Sequence, residues 1–246
     1  MQQPAIVAHR GASTDRPEHT IGAYELAVKE GADGLECDIR LSKDGEIVCV
    51  HDRTLTRTSN GHGTVSALTL EELKKHDYGS WHRHGQKAEL LVLDELLELV
   101  KGTNAELFVE TKHPVRYRNE VERKLAEALK RHGLASQIVM MSFSPTAVKA
   151  FREHAPDIRT VLLLDRLGRY RGGALPSFAD YTGPGVHVLR NDPGYVDRAR
   201  KAGHETYVWT VDGAEDVALC RDLGVRYLAT NAPANTRRLL TANLAT

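Results

Sequence analysis

Cysteine is scarce: Cys37, Cys49 and Cys220 are all that 246 residues contain. Odd in number and without a C-x-x-C spacing, they exclude a disulfide framework and a thiolate metal site, and read as small buried apolar residues. Long apolar runs are missing too. Stretches such as Ile138-Val139-Met140-Met141 fall far short of the roughly 18–20 apolar residues of a membrane span. Met1-Gln2-Gln3-Pro4 leads directly into Ala5-Ile6-Val7-Ala8 with no basic region or export-length apolar segment, so a cytoplasmic location is expected. Neither charge dominates, with 33 Lys and Arg against 33 Asp and Glu. That balance argues against a nucleic-acid partner or an acidic tail, and any phosphate binding must be local. There is no low-complexity tract, no sequence repeat and no Pro/Gly linker. One domain over 1–246 is expected, with a size suited to a single α/β barrel.

What is present is an alternation of short β-branched runs with amphipathic stretches, the pattern of βαβ units. Eight runs stand out, at 5–9, 34–39, 107–111, 138–142, 160–164, 186–190, 206–210 and 226–230. They predict a (β/α)8 TIM barrel. Helices are predicted from Thr20 to a stop at Gly31, from Val196 to a stop at Gly203, and from Ala214 to a stop at Gly224. Residues 52–89, rich in Thr, Gly, His and Lys, interrupt the rhythm after the second barrel strand. They read as a small insertion in which Thr69-Leu70-Glu71-Glu72 has the form of a helix start. His76, His82 and His84 lie within it at no ligand spacing and read as surface residues.

In such barrels the chemistry sits where strands end at their carboxyl edge. The first run ends in His9-Arg10-Gly11, the second in Glu36-Cys37-Asp38 and the third in Glu110-Thr111-Lys112. Glu36 and Asp38 are two apart on a strand and so share a face. With Glu110 they make three carboxylates that repel one another unless a cation neutralises them. All-oxygen ligands favour a hard divalent ion, Mg2+ or Ca2+, with Mn2+ also possible. The competing reading pairs the three with Arg10, Arg40 and Lys112. Leu41-Ser42-Lys43-Asp44-Gly45-Glu46 carries a turn signal. A two-residue turn there would set Val50 opposite Cys37 and His51 opposite Glu36, returning His51 to the metal. His9 and His51 then suit paired acid–base work, and Arg10 and Lys112 supply positive charge for a phosphodiester.

These residues resemble the glycerophosphodiester phosphodiesterase family in order: His9-Arg10-Gly11, Pro17-Glu18-His19-Thr20, Glu36-x-Asp38, His51-Asp52, Glu110-Thr111-Lys112, Ser142-Phe143, Trp209-Thr210-Val211-Asp212 and Thr230-Asn231-Ala232-Pro233. Arg57-Thr58, Gly61-x-Gly63 and Gly79-Ser80-Trp81 look like that family's insertion. The resemblance implies His9 and His51 as the acid–base pair, Glu36, Asp38 and Glu110 as metal ligands, and Arg10 and Lys112 on phosphate. It puts Glu18 near the metal or the histidines and has Phe143 and Trp209 line the alcohol pocket. The implied reaction is hydrolysis of a small glycerophosphodiester to glycerol 3-phosphate and an alcohol. A lysophospholipase D-type lipid phosphodiesterase and a non-catalytic phosphate-binding barrel are the alternatives. Three positions depart from the family pattern. His19 stands where Asn is usual, Asn231 stands where Asp is usual, and residues 91–95 lack a Pro-Thr-Leu start to the next helix.

Overall fold

A computed structural model of the chain describes residues 3–242. Eight parallel strands close a barrel: β1 (Ala5–His9), β2 (Gly34–Leu41), β4 (Glu106–Thr111), β5 (Ile138–Ser142), β6 (Arg159–Leu164), β7 (Tyr181–Pro184), β8 (Glu205–Val208) and β9 (Tyr227–Thr230). β1 pairs with both β2 and β9, which closes the cylinder. A short β3 (Ile47–Cys49) runs antiparallel on β2 outside the ring. The fold is the (β/α)8 type expected.

Side chains alternate across each strand, and that alternation divides the core. Val7, Phe108, Val139, Met141, Val161 and Tyr207 fill the barrel interior, while Ile6, Leu35, Val109, Met140 and Leu162 pack outward beneath the helices. This layering is the usual reason such a barrel is solid rather than a pore. Among the described residues no helix is long and apolar enough to cross a membrane.

Helix signals fall where predicted. α1 (Ile21–Lys29) starts at Thr20, whose hydroxyl accepts from the Ala23 N–H, and ends before Gly31 at φ 77°. Within 52–89, α2 (Leu70–Leu73) carries the full reciprocal cap between Thr69 and Glu72. The insertion adds no barrel strand, and its Leu55, Val65, Leu73 and Tyr78 bury themselves against Val48 and Val50. α3 (Leu93–Lys101) begins at Val92, which offers no capping oxygen; the Glu95 carboxylate accepts the Val92 N–H instead. Around the ring follow α4 (Glu120–His132), α5 (Pro145–His154), α6 (Val186–Asn191), α7 (Tyr195–Lys201), α8 (Ala214–Asp222) and α9 (Pro233–Ala242).

Two local expectations fail. The run at 186–190, read as a strand, is α6, and the strand is Tyr181–Pro184 just before it. A five-residue β-branched run carries too little periodicity to separate strand from helix, and Gly183-Pro184 looks like a turn. In the strand Gly183 pairs with Leu163, and no larger residue fits, since a Cβ there would lie 2.7 Å from Leu163 Cδ2. The hairpin register is also one residue off. Ile39 faces Cys49 and Arg40 faces Val48, because the loop is three residues long. Ser42 N–H donates to the Glu46 carbonyl, Gly45 N–H donates to that of Ser42, and Gly45 takes φ 85°. This is a turn closed by a glycine bulge.

Candidate active site

A one-residue slip should turn every following side chain to the other face of the sheet, yet His51 still reaches the barrel mouth. The β3 ladder ends at Cys49, so His51 lies past the paired region. Its carbonyl is held by Arg40, whose Nε and Nη2 donate at 2.9 and 2.7 Å. A bend rather than a register delivers the imidazole.

The turn after β1 is shaped for close approach. Arg10 (φ 61°) and Gly11 (φ 84°) both adopt left-handed backbone. A Cβ on Gly11 would sit 2.7 Å from the Ala23 carbonyl carbon and from Ala23 Cβ. The turn folds back so that the Arg10 N–H donates to Glu36 Oε2 at 3.0 Å. Arg10 Nε lies 3.0 Å from Asp38 Oδ2, and its Nη1 donates to Glu18 Oε1 at 3.0 Å.

Glu36, Asp38 and Glu110 are all buried, and each offers an oxygen within 4.8 Å of the others'. Register explains the convergence: Asp38 is the parallel partner of Glu110, and Glu36 of Phe108. Lys112 Nζ lies 2.6 Å from Glu110 Oε1 and 3.2 Å from Asp38 Oδ1. The ion-pair reading is therefore met by Arg10 and Lys112, while Arg40 turns away to His51. Two cations do not offset three carboxylates. Burial and then repulsion from Asp38 push Glu36 well above the usual carboxylate range, and the same two causes raise Glu110 to about 8. Burial would lift Asp38 as well, but Arg10 and Lys112 outweigh it and hold its carboxyl well down. Asp38 Oδ1 has the Lys112 ammonium as its ion-pair partner and accepts no hydrogen bond. A buried all-oxygen cluster with surplus negative charge fits a hard divalent cation, and the donor set contains no sulfur.

The two histidines are oriented from behind. His9 Nδ1 lies 2.8 Å from Asn231 Oδ1, and its Nε2 faces Glu36 Oε2 at 4.0 Å. Burial and then Arg10 lower His9 to about 4, so it is neutral at pH 7. His51 Nδ1 lies 2.6 Å from Asp52 Oδ1. Burial lowers its pKa, with Arg10 and Lys112 adding to the effect and Asp38 and Asp52 opposing it. Phe143 and Trp209 meet edge to face at 5.2 Å, with Lys112 Nζ 5.9 Å from the Phe143 ring centre. Trp209 Nε1 donates to the Gly183 carbonyl. Phe143, 40 % exposed, thus forms an open apolar edge beside the carboxylates.

Four residues at this mouth were not assigned site roles from sequence. His19 is buried: Nε2 lies 3.0 Å from Asp38 Oδ2 and Nδ1 lies 2.8 Å from Tyr24 Oη. Its φ of 58° is left-handed backbone, where Asn and His are both enriched. That requirement makes the exchange of Asn for His intelligible. Asn231 and Asp212 form the support behind His9, and Arg57 of the insertion bridges Glu18 and Asp52. Turn-forming Asn and Asp and a surface-like Arg gave no composition signal. A cleft of about 830 Å³ between the start of α1, residues 84–91 and α3 is lined by none of the histidine or carboxylate candidates.

The comparisons with known proteins bear on the family and the fold. Residues 9–235 match the model of the glycerophosphoryl diester phosphodiesterase family. The probable glycerophosphodiester phosphodiesterase 1 of Mycobacterium tuberculosis is 47 % identical, over 96 % of this chain and 92 % of its own. A crystal structure of the glycerophosphodiester phosphodiesterase from Agrobacterium tumefaciens, 30 % identical, superposes with a TM-score of 0.81 over 98 % of this chain and 100 % of its own. An Oleispira antarctica phosphodiesterase, solved in complex with the product sn-glycerol-3-phosphate and 24 % identical, shares the fold with a TM-score of 0.85 over 97 % of both chains. With the family model spanning nearly the whole sequence and relatives matching end to end, the chain belongs to the glycerophosphoryl diester phosphodiesterase family.

Proposed function

We propose that the chain hydrolyses small glycerophosphodiesters to glycerol 3-phosphate and a free alcohol, with Glu36, Asp38 and Glu110 holding a divalent cation and His9 and His51 exchanging protons. One observation carries the reading. A buried three-carboxylate cluster shares a barrel rim with two imidazoles, each held at Nδ1 by its own partner.

When bound, the cation supplies Lewis-acid neutralisation of a non-bridging phosphate oxygen, and Mg2+, Ca2+ and Mn2+ all suit the oxygen donors. Arg10 and Lys112 offer further positive charge to the phosphate oxygens as negative charge develops in the transition state. His9, backed by a neutral amide and lowered to about 4, is the base: its Nε2 takes the proton of the attacking hydroxyl. His51, backed by the Asp52 carboxylate, is the acid: its imidazolium gives the Nε2 proton to the leaving alkoxide and keeps the Nδ1 proton on Asp52. An anionic partner stabilises an imidazolium and an amide does not, which separates the two roles. The same pair serves direct attack by water, or attack by the glycerol 2-hydroxyl followed by water opening the cyclic phosphate. Phe143 and Trp209 flank the alcohol, and Glu18 holds Arg10 in place.

The test uses protein stripped with chelator and resupplied with Mg2+, Ca2+ or Mn2+ in turn, with glycerophosphocholine and glycerophosphoethanolamine as substrates and Glu36→Ala as control. Metal-dependent release of glycerol 3-phosphate that disappears in the control is the expected result. No release with any cation would refute the small-diester reading and turn attention to lysophospholipids.

A further inference from the structure

The insertion sends one guanidinium into the charged network at the barrel mouth. Arg57 Nε donates to Asp52 Oδ2 at 2.7 Å, and its Nη2 reaches Asp52 Oδ1 at 3.3 Å. Its Nη1 and Nη2 form a fork on Glu18, at 2.7 and 2.8 Å. Each of its three nitrogens is therefore engaged by a carboxylate. The two carboxylates have further partners: Glu18 Oε1 also accepts from Arg10 Nη1, and Asp52 Oδ1 lies against His51 Nδ1. Arg57 thus ties the loop after β3 to the loop after β1.

The two ends of this tie differ in exposure. Glu18 is 12 % exposed and pinned by two arginines, whereas Asp52 is 27 % exposed at the start of the insertion. A carboxylate can orient an imidazole only while its own rotation is stopped. Arg57 stops it by occupying Oδ2, which leaves Oδ1 turned to His51 Nδ1. An acceptor at Nδ1 fixes the proton there in the neutral ring and leaves Nε2 for the reaction. A guanidinium can do this and an ammonium cannot, because only the planar fork grips two carboxylates at defined angles.

We propose that Arg57 is a positioning residue: anchored on Glu18, it locks Asp52 in the orientation that sets the His51 tautomer, and so makes the insertion a working part of the acid–base site. The inference rests on the reading of His51 as an acid–base residue. Arg57 does not serve as a phosphate ligand, since carboxylates engage all three of its nitrogens, whereas the carboxylate contacts of Arg10 run through Nε and Nη1. Nor is it chiefly a fold stabiliser, since its side chain is 44 % exposed and exposed ion pairs contribute little to folding.

The test is steady-state kinetics of the metal-loaded protein with glycerophosphocholine for wild type, Arg57→Gln, Arg57→Lys, Asp52→Asn, the Asp52→Asn/Arg57→Gln double variant and His51→Gln. It is read alongside thermal melts and 15N spectra of histidine-labelled protein. For Arg57→Gln we expect kcat lower by roughly 10- to 100-fold, KM within about twofold, Tm lowered no further than in Glu18→Gln, and the His51 ring nitrogens moved from a single Nδ1–H tautomer toward a mixture. Arg57→Lys should restore only part of kcat. The double variant should be little worse than Asp52→Asn alone, because Arg57 acts through Asp52. Wild-type kcat and His51 spectrum in Arg57→Gln would overturn the proposal. So would a raised KM with kcat retained, the mark of a substrate ligand, or full additivity in the double variant. If Arg57→Gln does not fold, Arg57→Lys and Asp52→Asn carry the same comparison. Activity surviving in His51→Gln would instead refute the acid–base reading itself, whereas an inactive His51→Gln beside a normal Arg57→Gln would refute this inference alone.

Discussion

His9 Nδ1 and Asn231 Oδ1 lie 2.8 Å apart although 222 residues separate them in the chain. The amide is turned that way by its other end. Asn231 Nδ2 donates to Asp212 Oδ2 at 2.7 Å, and Asp212 Oδ1 also accepts the Asn231 N–H and the Thr230 hydroxyl. Asp212 can only accept, so the amide oxygen must face His9 and the imidazole proton sits on Nδ1. Replacing Asn231 by Leu removes the acceptor, and kcat should fall about tenfold or more with KM little changed. Asn231→Asp keeps an acceptor but adds a negative charge that raises the His9 pKa. Activity should then fail at a higher pH on the acid side than in wild type. A pH–rate profile identical in all three proteins would show that Asn231 does not act on His9.

Gly11 should tolerate no side chain. Its φ of 84° disfavours any L-residue, and an added Cβ would meet Ala23 at 2.7 Å. Gly11→Ala is expected to cost about 1–3 kcal/mol, lowering Tm by several degrees. Because the same turn aims Arg10 at Glu36 and Asp38, it should also lose most activity. Gly22, where an added Cβ meets nothing within 4 Å, is the control whose alanine variant should melt normally.

The carboxylate cluster should be stabilised by its cation. Binding to the folded state alone raises stability by roughly 2.7 kcal/mol at a hundredfold excess over Kd, so Tm of the chelator-treated protein should climb on adding Mg2+, Ca2+ or Mn2+. The climb should disappear in Glu36→Gln/Glu110→Gln. An equal shift in that double variant would place the cation elsewhere.

Glu18 should carry part of the acid sensitivity. Burial would raise its pKa, but Arg57 and Arg10 hold it at about 2 against an ordinary 4.5. A carboxyl depressed on folding stabilises fully above the unfolded value and loses that contribution as pH falls through the folded one. Wild type should therefore melt above Glu18→Gln at pH 6, and the gap should close between about pH 4.5 and 2. A gap constant across that window would mean that the ion pairs add nothing to stability.

His19 should be exchangeable for Asn but not for a β-branched residue. Asn accepts φ 58° and its amide, reaching about as far as the imidazole Nδ1, can still bond Tyr24 Oη, whereas Val at that φ is strained and leaves the buried Tyr24 and Asp38 both short of a partner. His19→Asn should keep most of its stability, and His19→Val should lose about 1–3 kcal/mol or more. Equal melting of the two would show that the left-handed backbone is not what selects the residue.

The carboxyl-edge residues were legible because a closed parallel barrel brings all its strand ends to one rim, so residues that merely end their runs become neighbours. His9, Glu36, Asp38, Glu110 and Lys112 needed only that topology, and a two-residue spacing put Glu36 and Asp38 on one face. Helix starts at Thr20 and Thr69 were local hydrogen-bond chemistry and needed no tertiary context. Pairings between segments with no periodic relation required the folded chain. Whether Ser42 to Glu46 closes over two residues or three depends on Gly45 taking a left-handed φ, which composition does not dictate. Which of residues 181–184 and 186–190 forms the strand shows only in the pairing with β6, where Gly183 lies beside Leu163 with no room for a Cβ. The partners of His9 and His51, an amide just past the last strand and a carboxylate held by the insertion, follow from barrel closure and loop packing. Sequence order thus determined which groups reach the mouth, and tertiary structure decided what each is hydrogen-bonded to and therefore which proton it can take or give.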